Sequence, residues 1–196
     1  MLKQFSSSNN TKRDFRTLIV SVAIIAVLVG FDRLTKIMVV AEIPFKESRP
    51  WLRIGNFGLI NFTHVQNDGA AFGILSGQQL FLIIVTSVFI AVAFSVLVIG
   101  TLTGKMKDKR LIIAITFIVS GGLGNLIDRI SQGYVVDFIE LKFIKFAIFN
   151  FADICACVGA GLLFWIVLQE EIREYKARRA CEVETEDDDP AESEEA

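Results

Sequence analysis

Three short strings put carboxylates among apolar residues, where an acid is costly to keep. In GGLGNLIDR (121–129), Asn125, Asp128 and Arg129 fall at i, i+3 and i+4 and so share one helix face. In FNFADI (149–154), Asn150 and Asp153 are at i and i+3, again on one face. In QGYVVDFI (132–139), Asp137 is flanked by Val135, Val136, Phe138 and Ile139. An acid so placed is either paired or titrates above its ordinary range. Two carboxylates brought close together resist ionising together and tend to share a proton. Such a pair can hydrolyse an amide without a covalent intermediate. One carboxylate takes a proton from the attacking water, and the other protonates the carbonyl oxygen or the departing amine.

The other polar residues read as support. Asp128 has the adjacent Arg129 guanidinium as a ready partner, which favours a structural hydrogen bond or ion pair. Asp32 and Lys36, at i and i+4, read as a helical ion pair that can brace a site from the side. Glycines 121, 122, 124, 159 and 161, with Ala156 and Ala160, allow close helix packing. Cys155 and Cys157 lie in an apolar run and read as small packing residues, and Cys181 lies in a polar tail. Their spacing suits neither a disulfide framework nor a metal, and no metal or organic cofactor is expected. The single histidine, His64, falls in a strand-like segment and reads as a surface residue rather than a base.

These residues need elements that span a membrane. The chain has 196 residues, 53% of them hydrophobic, with a mean hydropathy of +0.52. That is too apolar for a soluble domain of this length, and the apolar residues come in blocks near the roughly 20 residues a spanning helix needs. Residues 17–31 are uncharged and follow a basic start, as in a signal peptide. No small-residue cleavage site follows, so the run reads as a first spanning helix over about 17–40. The later blocks give helices over about 78–101, 111–130 and 148–169. Pro44, Pro50 and Trp51 lie in a segment, 41–66, whose alternation at Phe57, Leu59, Asn61, Thr63 and Val65 indicates short strands outside the bilayer. Trp51 suits an interfacial anchor. Residues 131–147 read as a loop carrying Asp137. Asp153 then falls about one turn inside the fourth helix, at the same surface.

Charge sets the expected orientation. Lys3 to Arg16, the 105–110 loop and the 173–179 stretch are the richest short basic segments, and four spans put them all on one side. The positive-inside rule makes that side cytoplasmic, with both termini inside and segments 41–77 and 131–147 outside. The net charge of −2 conceals this bias, because residues 182–196 hold nine acids and no base. That acidic stretch reads as a disordered extension following the cytoplasmic end of the last helix, so residues 171–196 separate from a membrane-embedded unit over 1–170.

Four motifs in this order, FDRLTK (31–36), NDGAAFG (67–73), GGLGNLIDR with QGYVVDF (121–138) and FNFADI (149–154), closely resemble the lipoprotein signal peptidase family, signal peptidase II. The resemblance covers about residues 17–170. It implies an all-α integral membrane fold, a four-transmembrane-helix bundle with a small extracytoplasmic β-cradle. It also implies an aspartic endopeptidase that removes the signal peptide of prolipoproteins just before a diacylglyceryl-modified cysteine. The implied catalytic pair is Asp137 and Asp153. Asn67, Asn125, Arg129 and Asn150 match the supporting residues, while Asp32, Lys36 and Asp128 match structural ones. The implied partners are the lipid-modified prolipoprotein, membrane lipid and an inhibitor of the globomycin type. No nucleic acid is implied, and a monomer is expected in the bacterial inner membrane with its active site at the outer face. Asp68 beside Asn67 and the long acidic tail depart from the family pattern.

Rival classes fit less well. A transporter would use intramembrane acids as relays, but four spans without an inverted repeat, and acids gathered at one surface, argue against it. A phosphatidyl transferase lacks its further upstream acids here. A Ser/Lys protease lacks a serine one turn from a membrane lysine, and a Cys/His protease would depend on His64. A scaffold has no need of Asp137 and Asp153 together.

Overall fold

The computed structural model describes residues 2–55, 57–70 and 74–187, with side chains described for 14–55, 58–70 and 74–180. In chain order the elements are α1 (Leu2–Glu42), β1 (Ser48–Ile54), β2 (Phe57–Asn67), α2 (Gln79–Leu102), α3 (Lys109–Gln132), β3 (Val135–Leu141) and α4 (Phe151–Asp187). Four helices among the described residues are long and apolar enough to cross a membrane: Asp14–Glu42, Gln79–Leu102, Lys109–Gln132 and Phe151–Ala180. The expected four-helix bundle with a small sheet is therefore present.

Helix α3 is the centre of the bundle. Its apolar window is 56% buried in protein, against 17–22% for the other three. Lipid offers no hydrophobic force between helices, so close backbone approach has to hold them. At Gly121 an added Cβ would fall on the Ala152 carbonyl, and at Gly159 it would lie 2.7 Å from the Ala114 carbonyl oxygen. The packing role read for the glycines holds at 121, 122, 124 and 159, but Gly161 faces open space. Exposed Val, Ile, Leu and Phe residues cover the outer faces of α1, α2 and α4, as a lipid-facing surface requires.

Both ends of α3 are capped by local chemistry. The Asp108 carboxylate accepts from the Arg110 backbone N–H at 2.8 Å, and the side chain of Arg110 holds that carboxyl below its usual range. Gly133, at φ +79°, supplies the left-handed residue that ends the helix, its N–H donating to the Arg129 carbonyl. This turn feeds β3 directly, two residues before Asp137.

The sheet has the order β1-β2-β3 and is antiparallel throughout. Its third strand takes up the middle of the loop expected over 131–147, because Val135–Leu141 pairs with β2, and its first four residues, Val135 to Phe138, are buried. Val136 and Phe138 pack on Val39 and Ile43 of α1, while Asp137 alternates to the opposite face. On β2, His64 is buried rather than superficial: its Nδ1 lies 2.8 Å from the Ile43 carbonyl oxygen, and its ring meets Phe45 edge-on. Trp51 is exposed and stacks on Phe62.

Helix α4 starts at Phe151, three residues later than expected, and continues through Asp187. The first acidic residues, 182–187, therefore extend a helix instead of opening a disordered tail. Residues 188–196, with the rest of that expectation, lie outside the described residues.

Candidate active site

Asp153 is placed by the start of α4. Asn150 is the residue before the helix, and its Oδ1 accepts from the Asp153 backbone N–H at 3.0 Å. In return the Asp153 carboxylate accepts from the Asn150 N–H at 3.0 Å. This is a reciprocal capping box, and it puts the carboxylate at the positive end of the helix, where negative charge is stabilised. The next free helix donor, the Ala152 N–H, is taken by Asp32 Oδ1 of α1 at 2.9 Å.

Asp137 is placed by the register of β3. Opposite Val65 on β2, it points into the space between the sheet and the start of α4. Its Oδ1 accepts from Asn150 Nδ2 at 2.6 Å and its Oδ2 from Asn67 Nδ2 at 2.8 Å. Burial, then the nearby Asp153 charge, push the Asp137 carboxyl up to about 6.

Three asparagine amides surround the two acids, and the surrounding structure fixes which end of each faces them. The Oδ1 of Asn67 is occupied by the Gly69 N–H at 2.9 Å, so its amide nitrogen turns to Asp137. Asn150 Oδ1 is occupied by the helix cap. Asn125 Oδ1 receives both Lys36 Nζ at 3.0 Å and Asn150 Nδ2 at 3.1 Å, so its own Nδ2 donates to Asp153 Oδ1 at 2.7 Å. Asn150 therefore bridges both acids and Asn125.

Behind this layer lies a buried ion cluster. Lys36, Asp32 and Asp128 are almost wholly enclosed. Lys36 Nζ sits 2.9 Å from one oxygen of each acid. The i, i+4 pair read from the sequence is thus present, and it is joined by Asp128. The expected partnering of Asp128 by its neighbour Arg129 does not occur, because adjacent helix residues point about 100° apart. Instead Asp128 pairs with Arg33 and Lys36 of α1 and accepts from the Val136 N–H at 3.2 Å. The sequence reading missed Arg33, whose only signal is its place inside the FDRLTK string. Arg129 donates through Nη2 to the Gly69 carbonyl at 2.9 Å, tying the segment after β2 to α3.

Asp137, Asp153, Asn67, Asn125 and Arg129 line one cavity of about 440 Å³, walled on its apolar side by Phe146–Phe149 and the first turns of α4. All six polar site residues expected from the sequence thus converge, Asn150 as the bridge and the other five at the cavity wall. The residue pattern of the family described as Signal peptidase (SPase) II matches residues 24–169, which hold every one of them. The chain belongs to the signal peptidase II family. Members of this family cleave the signal peptides of prolipoproteins. The chain is 45% identical to the lipoprotein signal peptidase of Streptococcus pneumoniae over 150 residues, covering 76% of this chain and 92% of that one. It is 38% identical to the lipoprotein signal peptidase of Lactococcus lactis over 154 residues, 78% of this chain and 96% of that one. Two solved bacterial membrane enzymes share the signal peptidase II fold seen here. One has a TM-score of 0.68 at 32% identity over 78% of this chain and 89% of its own. The other has a TM-score of 0.64 at 33% identity over 76% of this chain and 92% of its own.

Proposed function

We propose that Asp137 and Asp153 are the catalytic pair of this lipoprotein signal peptidase, and that they cut the prolipoprotein just before its diacylglyceryl-modified cysteine. The observation that carries this reading is that both carboxylates are bridged by Asn150 and open into the same cavity.

Their environments divide the work. Asp153 receives N–H donors on both oxygens and sits at a helix N-terminus, which suits an ionised base. Asp137 is buried beside that charge, which suits the acid. Water attacks the scissile carbonyl carbon as Asp153 takes its proton and Asp137 protonates the carbonyl oxygen. The tetrahedral diol then collapses. The C–N bond breaks, the amine leaves with the proton held by Asp153, and a diol hydroxyl returns its proton to Asp137. The pair ends with the single proton it began with.

The lipid on the cysteine stays in the bilayer, so the scissile bond has to reach the acids at the membrane edge. The apolar wall formed by Phe146–Phe149 and α4 suits the acyl chains and the signal helix. Arg16 and the basic segments at 105–110 and 173–179 lie at the ends of the spanning segments away from the sheet, which supports cytoplasmic termini and a site at the outer face of the inner membrane. Both acids come from one chain, consistent with a monomeric enzyme. A cyclic peptide inhibitor of the globomycin type would occupy the same cavity.

The test is cleavage of a lipid-modified prolipoprotein by the purified enzyme. Asp137→Asn and Asp153→Asn should each abolish the shortened product while leaving the melting temperature in detergent close to that of the parent. Full cleavage by both variants would reject the pair.

A further inference from the structure

At the end of the bundle away from the catalytic acids, α1 and α3 part to leave a groove of about 770 Å³. This is within the roughly 300–1,000 Å³ typical of small-ligand sites. Its long walls are apolar, formed by Val20 and Ile24 of α1 and by Ile113 and Phe117 of α3. All four lie inside spanning segments, and Val20 and Ile113 are about half exposed. Its mouth carries two cations, Arg16 on α1 and Lys109 at the start of α3.

Neither cation forms an ion pair among the described residues. The acid beside Lys109, Asp108, is bound by the Arg110 guanidinium through both its oxygens. Arg110 also donates to Gln169 of α4, which holds it away from the groove. Asp14 is two positions from Arg16, a spacing that sets side chains on different helix faces. From Arg16 to Ile24 the groove runs about 12 Å along α1, at about 1.5 Å per residue. That is close to the depth of one leaflet, half of a hydrocarbon core about 30 Å thick.

A cationic mouth at the membrane surface above an apolar trough one leaflet deep is the complement of one class of molecule. We propose that the α1–α3 groove binds an anionic phospholipid, with one acyl chain along Val20, Ile24, Ile113 and Phe117 and its phosphate at Arg16 and Lys109. A zwitterionic lipid would place a compensating positive charge at the same mouth and bind less well. The basic start of a signal peptide would be repelled there, so the groove is separate from the substrate path. The proposal does not depend on the assignment of Asp137 and Asp153.

The experiment uses the full chain purified in mild detergent, with retained lipid read by native mass spectrometry after addition of equal amounts of phosphatidylglycerol and phosphatidylcholine. The parent should keep phosphatidylglycerol preferentially, and the paired change Arg16→Gln with Lys109→Gln should cut that retention by about fivefold or more, as expected for loss of surface cations from an anionic lipid. Removing equal charge nearby, by Lys105→Gln with Lys107→Gln, should leave it unchanged. Ile113→Trp, which fills the groove and keeps both cations, should also abolish retention. Equal retention of the two lipids by the parent, equal losses in both charge pairs, or full retention by Ile113→Trp would each overturn the proposal.

Discussion

Lys36 Nζ lies 3.0 Å from Asn125 Oδ1, and this contact decides how Asn125 meets Asp153. A positive charge on the carbonyl end leaves only the amide end to face the carboxylate. The buried ion cluster thereby acts on the site through one side chain, although none of its members touches either acid of the pair by an ion pair.

Removing Lys36 should be costly for the same reason. Lys36→Met leaves the buried Asp32 and Asp128 carboxylates without their shared cation. Breaking a buried pair on one side costs about 3–5 kcal/mol. The expected result is a large fall in melting temperature in detergent together with loss of cleavage. Lys36→Arg should not restore either, because a planar guanidinium fork does not reproduce the single ammonium that meets Asp32, Asp128 and Asn125 together.

The pH dependence follows from Asp137. If it must carry a proton to act as the acid, kcat/KM falls as pH rises through about 6, the value to which burial and Asp153 push it. Above that point the fall should approach about tenfold per pH unit. Removing the Asp153 charge removes one of the causes that raise the value. Infrared titration of the Asp137 carboxyl in Asp153→Asn should therefore show it ionising at a lower pH than in the parent. An unchanged titration would mean the two carboxylates do not sense one another.

Helix approach sets the distance across the site. An added Cβ at Gly124 would lie 2.7 Å from Asp32 Oδ2 and 2.9 Å from Ala152 Cβ, with a rigid helix on one side and a fixed ion cluster on the other. Gly124→Ala should cost about 1–3 kcal/mol of stability, in the range of core overpacking, and reduce kcat by moving α4 off α3. Gly161→Ala, which meets nothing within 4 Å, should leave both unchanged. Thermal melting and cleavage rates measured side by side test the pair of expectations.

The sequence carried the spans, the converging acids and the supporting amides, because each rests on local spacing: 20-residue apolar blocks, and i, i+3 or i, i+4 polar faces. It misassigned what depends on distant pairing. The Val135–Ile139 run reads as a loop until its distant partners are beside it: β2 pairs with one edge, the Asp128 carboxylate accepts the Val136 N–H, and the Phe149 carbonyl accepts those of Phe138 and Ile139. Asp128 reads as Arg129's partner until α1 packs against α3 and presents Arg33 and Lys36. His64 reads as superficial until the chain folds back to bring the Ile43 carbonyl to its ring. A 3.6-residue period says which face a side chain takes, and not which element covers that face.

Asn150 combines two tasks that can be separated. Its Oδ1 caps α4 and its Nδ2 bridges Asp137 to Asn125. Asn150→Ala removes both, and loss of the cap alone should cost about 1 kcal/mol. Asn150→Ser keeps an oxygen able to accept from the Asp153 N–H but has no amide nitrogen to reach Asp137. The serine variant should therefore melt closer to the parent than the alanine variant does, yet both should lose cleavage by on the order of 10²-fold, as when a preorganised donor is removed from an active site. Melting curves and turnover measured on the same preparations distinguish the tasks. If serine restored turnover along with stability, the bridge between the two carboxylates would be irrelevant to catalysis, and Asn150 would serve only to start the helix.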